Sequence, residues 1–352
     1  MRLGIIGLPQ SGKTTIFNAL TRGDQPTTMS GRMEVHNAVV PVPDPRVDRL
    51  AEIYNPKKTT YARVEYADIA GLDGSAGDAG ISGALLNELA QMDGFLHVVR
   101  VFEDDSVPHM ASSIDPLRDI ASMDSELLLN DLIAIERKLE RLATERGRDK
   151  AVVEREKELF QRLHTALADD ETPLRTIQLS AEDRKAIAGF GFLTLKPMLV
   201  VLNLSEGQPA PDVSAVTPHS NVVALQGRLE MEIAQLPPDE AGVFLEEYGI
   251  KEPSLFRMIR ESYELIGLLS FFTVGEDEVR AWTVRRGASA PEAAGAIHTD
   301  LQKGFIRAEV VAYDDLASLG SMAAAREKGV LRVEGKDYIV HDGDIVHVRF
   351  NV

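Results

Sequence analysis

The chain has 352 residues, which at about 100 to 200 residues per domain predicts two or three domains rather than one small module. Hydrophobic residues make up 44% and charged residues 26%, which argues against long disordered or low-complexity structure. The formal net charge of -17 disfavours a general basic surface that coats nucleic acid, so no DNA partner is expected and only a local basic patch remains open. With no cysteine, disulfides, thiol catalysis and Cys-ligated zinc are excluded, and a reducing, cytoplasmic setting is expected. No apolar run approaches the about 20 residues of a membrane helix, so neither a signal peptide nor a membrane partner is expected.

In chain order, Leu3-Gly-Ile-Ile6 reads as a short buried parallel strand and Thr14 to Leu20 as a helix. Between them Gly7-Leu8-Pro9-Gln10-Ser11-Gly12-Lys13-Thr14 matches the G-x-x-x-x-G-K-[ST] phosphate-loop pattern in its strand, loop, helix context. Glycines let such a loop wrap an anion while backbone N–H groups and the helix N-terminus face the phosphates. Lys13 would add a point charge for the β- and γ-phosphates, and Thr14 would place its hydroxyl on Mg2+. The candidate binding residues here are Leu8, Pro9, Gln10, Ser11, Gly12, Lys13, Thr14 and Thr15. The bland alternative is a glycine-rich turn with an exposed lysine.

Tyr61 to Asp68 reads as a strand, and Asp68-Ile-Ala-Gly71 ends it with a D-x-x-G pattern. Asp68 would orient the metal and the Gly71 N–H would meet the γ-phosphate. With an intervening strand near Val39–Pro43, these motifs predict a doubly wound α/β domain of the P-loop NTPase, GTPase-like kind, with ligand at the carboxyl ends of the strands. A glutamine after that glycine can position the attacking water, but this chain has Leu72, whose apolar side chain cannot. His109, in the loop after the strand Phe95–Val101, is a candidate to handle the water, although a loop histidine is also commonly a solvated surface residue. The apolar strand Pro197–Leu202 leads into Asn203-Leu204-Ser205-Glu206. Guanine readers carry Asn-Lys-x-Asp at this place. Leu204 removes the cationic stem and Glu206 is one methylene longer, so guanine selectivity is weakened and Asn203 suits a purine site that accepts adenine.

The order phosphate loop, Val39-Val-Pro-Val-Pro-Asp44, Asp68-Ile-Ala-Gly-Leu72, Asn203-x-x-Glu206, then Phe271-Phe-Thr-Val-Gly275, Glu278-Val-Arg-Ala-Trp-Thr283 and Gly304-Phe-Ile-Arg-Ala-Glu309, resembles the YchF/Obg-like ATPase family over nearly the whole chain. The resemblance implies a GTPase-like fold that prefers ATP to GTP, slow Mg2+-dependent hydrolysis, a helical insertion and a terminal TGS domain of β-grasp type. It also implies ribosome or ribosomal RNA or protein as partner, and Lys13, Gly71 and His109 as the catalytic set. Two departures stand out. The first-switch threonine falls on Arg32, with Thr27, Thr28 or Ser30 as substitutes if the loop shifts, and the residues backing the base are Gln226 and Gly227.

Leu128, Leu132, Ile135, Leu139 and Leu142 recur at coiled-coil spacing, break at Gly147, and resume as Val152, Leu159, Leu163 and Ala166. This predicts an antiparallel helical hairpin that either packs on itself or docks a partner. Short alternating strands at Leu269–Thr273, Val279–Val284, Val330–Val333, Tyr338–Val340 and Ile345–Phe350, around a helix from Ala290 to Leu301, predict a β-grasp. Trp282, His298 and Arg307 are read as structural, with base stacking as the other possibility. The expected domains are 1–122 with 195–267 for the nucleotide, 123–194 for the hairpin and 268–352 for the β-grasp. The expected function is a nucleotide-regulated ATPase, against a nucleotide-responsive scaffold with little hydrolysis or a GTPase switch.

Overall fold

A computed structural model describes residues 1–23, 25, 35–69, 81, 83–247 and 250–351. The chain divides into two units, 1–38 with 65–255, and 39–64 with 256–352. The elements begin with β1 (Arg2–Ile6), α1 (Lys13–Thr21), β2 (Val35–Pro41), α2 (Pro45–Tyr54), β3 (Lys58–Thr60), β4 (Arg63–Ile69), α3 (Gly83–Ala90) and β5 (Gly94–Arg100). The middle of the chain forms α4 (Pro116–Thr144), α5 (Lys150–Ala168), α6 (Ala181–Ile187), β6 (Met198–Asn203), β7 (Asn221–Leu225), α7 (Gly227–Gln235), α8 (Pro238–Glu247) and α9 (Ser254–Leu265). The remainder forms β8 (Leu268–Thr273), β9 (Glu278–Arg285), α10 (Ala290–Ile297), α11 (Thr299–Lys303), β10 (Phe305–Ala312), α12 (Tyr313–Leu319), α13 (Met322–Glu327), β11 (Arg332–Glu334) and β12 (Asp344–Phe350).

One sheet has the order β2-β4-β1-β5-β6-β7. β1 pairs in parallel with β4 and β5, β5 with β6, and β6 with β7. β5 and β6 are buried along their whole length, as expected for strands covered by helices on both faces. The chain leaves β1 towards β4 and later returns on its other side as β5. A crevice therefore opens at the carboxyl end of β1, where residues 7–12 lie. Ile6, Ala67, Ile69, Leu89 and Phe95 form one core beside this end of the sheet.

The hairpin grows out of that core without a seam. Asp115 caps α4 by accepting from the Arg118 N–H, and Pro116 sits in the first turn, where its missing N–H costs nothing. Met123 and Leu127 then pack beside Ile6 and Phe95, while Ile135 and Leu142, further along the same helix, pack with Leu159, Leu163 and Leu167 of α5. The expected boundary between 122 and 123 thus falls inside one continuous helix. Val152, expected in the seam, is 47% exposed, and its neighbour Val153 packs instead. The buried Asp131 carboxylate accepts from the Leu193 and Thr194 N–H groups and the Thr194 hydroxyl, tying α4 to the segment that returns to β6.

The second unit holds a sheet of order β11-β10-β12-β8-β9-β3. β8 and β9 are an antiparallel pair, and β12 returns parallel to β8 after the intervening helix, which is the β-grasp arrangement. β10, antiparallel to both β12 and β11, is absent from the strands expected. Its alternation is broken at both ends, with Ile306 and Arg307 both exposed and Val310 and Val311 both buried, and a register shift between Phe305 and Arg307 interrupts the run. Tyr338–Val340, expected as a strand, contributes only a bridge between Ile339 and Ser289. The expected strand Tyr61–Asp68 is divided: β3 pairs with β9 in the second unit, and β4 with β1 in the first. Residues 39–64 accordingly belong with 256–352 rather than with the segment 1–122. The helix expected from Ala290 to Leu301 breaks at His298, whose backbone is extended and whose Nδ1 accepts from the Asp300 N–H. Trp282 packs on the core, donates from Nε1 to Thr273 and lies under the Arg280 guanidinium, whereas Arg307 is exposed.

Candidate nucleotide-binding site

The phosphate loop is built on two glycines that no other residue replaces. Gly7 has φ +147° and a Cβ there would lie 2.3 Å from the Val98 carbonyl oxygen. Gly12 has φ +95° and a Cβ there would lie 2.2 Å from Nδ2 of Asn203. Gln10 also takes a positive φ, 62°. Lys13 curls over the loop and donates from Nζ to the Gly7 and Leu8 carbonyls, both at 2.9 Å. Gly12 is the N-cap of α1 and supplies no side-chain cap, so the first N–H groups of the helix face the loop and suit an anion. Leu8 packs partly against the core, Pro9 and Ser11 are buried, and Gln10, Thr14 and Thr15 are half-buried.

Thr14 and Asp68, expected to share a metal, meet in the structure. The Thr14 hydroxyl donates to Asp68 Oδ2 at 2.9 Å. Asp68 is 4% exposed and its Oδ1 has no hydrogen-bond partner among the described residues. Burial raises the carboxyl above its usual range, opposed by the Thr14 hydrogen bond and by the positive charges of Lys13 and His36. A hydroxyl beside an orphaned carboxylate oxygen is an all-oxygen donor set that fits a magnesium ion, whose charge would offset the burial of the carboxylate. Among the described residues no group of three or more His, Asp or Glu side chains forms a separate metal cluster.

Asn203 closes the loop from the other side. Its Nδ2 donates to the Ser11 carbonyl at 3.0 Å and its Oδ1 accepts from the Gly227 N–H at 3.0 Å, so one buried amide ties the phosphate loop to the start of α7. Gly227 is also sterically required, because a Cβ there would lie 2.7 Å from Asn203 Oδ1. Gln226 keeps a buried Oε1 without a partner among the described residues. The Leu204 side chain turns into a core with Val101, Leu202 and Val213, while Glu206 is exposed.

His109 lies beside the phosphate loop, sharing a narrow crevice with Leu8, Pro9, Ser11, His97 and Arg100. It is no solvated loop residue: its side chain is 6% exposed, Nε2 is 2.9 Å from Asp119 Oδ2, and Nδ1 accepts from the Ala111 N–H. Arg100 fixes the intervening loop, donating to the carbonyls of Phe102 and Val107 with its guanidinium over the Phe102 ring. His97 is buried and held neutral, pushed down to about 3 by burial and by the charges of Lys13 and Arg175. The sequence reading missed His97, Arg100, Arg118 and Asp119. The first two carried a readable signal, polar residues inside an apolar strand, and the others had none. Gly71, Leu72 and Arg32 lie outside the described residues.

Known proteins match this arrangement along the whole chain. A family profile described as "50S ribosome-binding GTPase" matches residues 2–138, and one for the YchF-GTPase C-terminal region, described as "Protein of unknown function (DUF933)", matches 268–351. The "Ribosome-binding ATPase YchF" of Bacillus subtilis is 40% identical over 99% of this chain and 99% of its own. That of Haemophilus ducreyi is 42% identical over 100% and 99%. The solved "Structure of the Schizosaccharomyces pombe YchF GTPase" superposes with a TM-score of 0.86 at 31% identity, covering 99% of this chain and 97% of that one. The chain belongs to the YchF family.

Proposed function

We propose that this protein is an Mg2+-dependent ATPase of slow turnover that binds ribosomes in a nucleotide-dependent way in the cytoplasm. The observation that carries the reading is the closed constellation of Lys13, Thr14 on Asp68, and Asn203 bridging the loop to Gly227. The names of the Bacillus and Haemophilus relatives supply the ATP and ribosome parts. Preference for ATP is further supported by Leu204, which offers no cationic stem, and by the exposed Glu206.

In this reading the loop amides and Lys13 hold the β- and γ-phosphates, Asn203 and the segment Gln226–Gly227 back the purine, and the Gly71 N–H meets the γ-phosphate. A magnesium ion held by Thr14 and Asp68 would neutralise charge developing on the phosphates. His109 is the base that takes a proton from the attacking water. The C-terminal unit is a TGS domain, and the hairpin of α4 and α5 is a ribosome-docking arm. The second reading is a GTPase, favoured by the naming of the Schizosaccharomyces pombe relative as a GTPase.

Calorimetric titration of ATP and GTP with Mg2+, followed by single-turnover hydrolysis with and without ribosomes, separates these readings. Tighter ATP binding, lost in Lys13→Ala, and hydrolysis that His109→Ala slows are the expected results. Tighter GTP binding installs the second reading, and no hydrolysis under any condition ends the enzyme reading.

A further inference from the structure

As it stands, His109 has no lone pair to offer. Nδ1 accepts from the Ala111 N–H at 3.1 Å, which leaves Nε2 as the ring nitrogen that donates, to Asp119 Oδ2 at 2.9 Å. The two contacts are unequal. The one with Ala111 is a neutral contact two residues away, in an exposed turn. The one with Asp119 is charge-assisted and buried, the carboxylate side chain being 5% exposed. Asp119 is itself held in place. Its Oδ1 accepts from Arg118 Nε at 3.0 Å and Nη2 at 2.7 Å, and the same guanidinium is fixed by the Ser113 carbonyl and hydroxyl. Asp119 also lies in the first turn of α4, whose N-terminus favours a carboxylate. The arrangement therefore leaves one carboxylate oxygen, in one orientation, for one ring nitrogen.

We propose that Asp119 is a positioning residue for His109: its buried carboxylate fixes the tautomer protonated on Nε2, so that Nδ1 becomes the proton acceptor once the Ala111 contact opens. This rests on the reading of His109 as the base in ATP hydrolysis. In that step the water oxygen forms a bond to the γ-phosphorus while the bond to the β–γ bridging oxygen breaks. One water proton passes to Nδ1, and the bridging oxygen departs with ADP. The imidazolium so formed keeps its Nε2–H on Asp119, which stabilises the charge, and returns the added proton to solvent. The logic is that of a carboxylate orienting a catalytic imidazole in acyl transfer, with the two ring nitrogens exchanged.

The test uses the full chain with Mg2+-ATP. Asp119→Asn preserves size and one acceptor but removes the charge. It is expected to lower kcat about 10- to 100-fold, less than the about 10²–10⁴-fold of a general base itself because Asp119 acts through His109, with KM and ATP affinity within about twofold. The double variant with His109→Ala is expected to be no slower than His109→Ala alone, and Asp119→Glu to recover part of the rate. If His109→Ala does not slow hydrolysis, the base reading itself fails. If it does and Asp119→Asn matches wild type, or the two losses multiply, the positioning role is overturned. Should Asp119→Asn fail to fold, 15N spectra of histidine-labelled wild type decide: the Nε2–H tautomer at His109 is expected, and the Nδ1–H tautomer refutes the proposal.

Discussion

Asn203 joins two loops through one amide, and both of its partners are buried backbone groups. Removing it leaves a carbonyl and an N–H without partners, each worth about 1–3 kcal/mol. Asn203→Ala is expected to lose about 2–4 kcal/mol in urea unfolding and to weaken nucleotide binding, and a loss below about 0.5 kcal/mol contradicts the tether. Gly12→Ala meets both a positive φ and the Asn203 amide. Calorimetry on a variant with wild-type circular dichroism should find Mg2+-ATP affinity reduced about 100-fold or more, because the backbone can no longer approach the phosphates. His97 gives a pH signature. Its folded-state value is lowered to about 3 from 6.5, so the unfolded chain binds the extra proton first. Its contribution is complete above pH 6.5 and is lost as pH falls towards 3, at about 1.4 kcal/mol per pH unit. Stability of His97→Leu, measured from pH 6 to 4, should fall less steeply than wild type by about that slope. Equal slopes would mean that the imidazole is reached by water. At this scale the motif residues were legible because backbone chemistry ties glycine, lysine and threonine to a phosphate loop at fixed spacing. Asp119 was not, since nothing local distinguishes it from any acidic residue in a first helical turn.

For the helical hairpin, the heptad spacing located the partners but not the rotation of α5. Leu163 is fully buried whereas Val152 is 47% exposed. Leu163→Ala is expected to cost about 2–5 kcal/mol and Val152→Ser under about 0.5, both read by hydrogen exchange across residues 128–167. Comparable effects at the two sites would contradict the packing. Glu156, beside Arg148 and Lys138, is drawn down to about 2. Its partly exposed position limits the pair's worth to under about 1 kcal/mol, present above the ordinary carboxylate range and lost as pH falls towards 2. The length of α4 was hidden for a related reason. Ile120, Met123 and Leu127 continue the apolar stripe of the hairpin seamlessly, and periodicity alone cannot say that its first turns belong to another core.

For the whole molecule, the segment 39–64 leaves the nucleotide unit and completes the second one. β3 forms the edge of the C-terminal sheet, and Arg46 pairs with Asp44 and Asp342 while lying 5.0 Å from the Phe272 ring centroid. A fragment of 268–352 therefore exposes the β9 edge and takes the Arg46 guanidinium from Asp342, which keeps the Ser270 N–H. It should melt lower than the same residues in the full chain and self-associate in size-exclusion chromatography. A monomeric fragment with an unchanged melting point would show that the segment is dispensable. The phosphate loop, the place of Asp68 at a strand end, the Asn203 position, the hairpin and the family were legible in the chain alone, because each rests on nearby residues whose spacing has a direct chemical meaning. Long-range packing alone revealed that β3 joins the second sheet, that β10 lies between β11 and β12, that Leu204 serves a core, and that Asp119 meets His109. Those outcomes depend on which distant backbone edge or buried group is left without a partner, and that is settled by packing the whole chain at once.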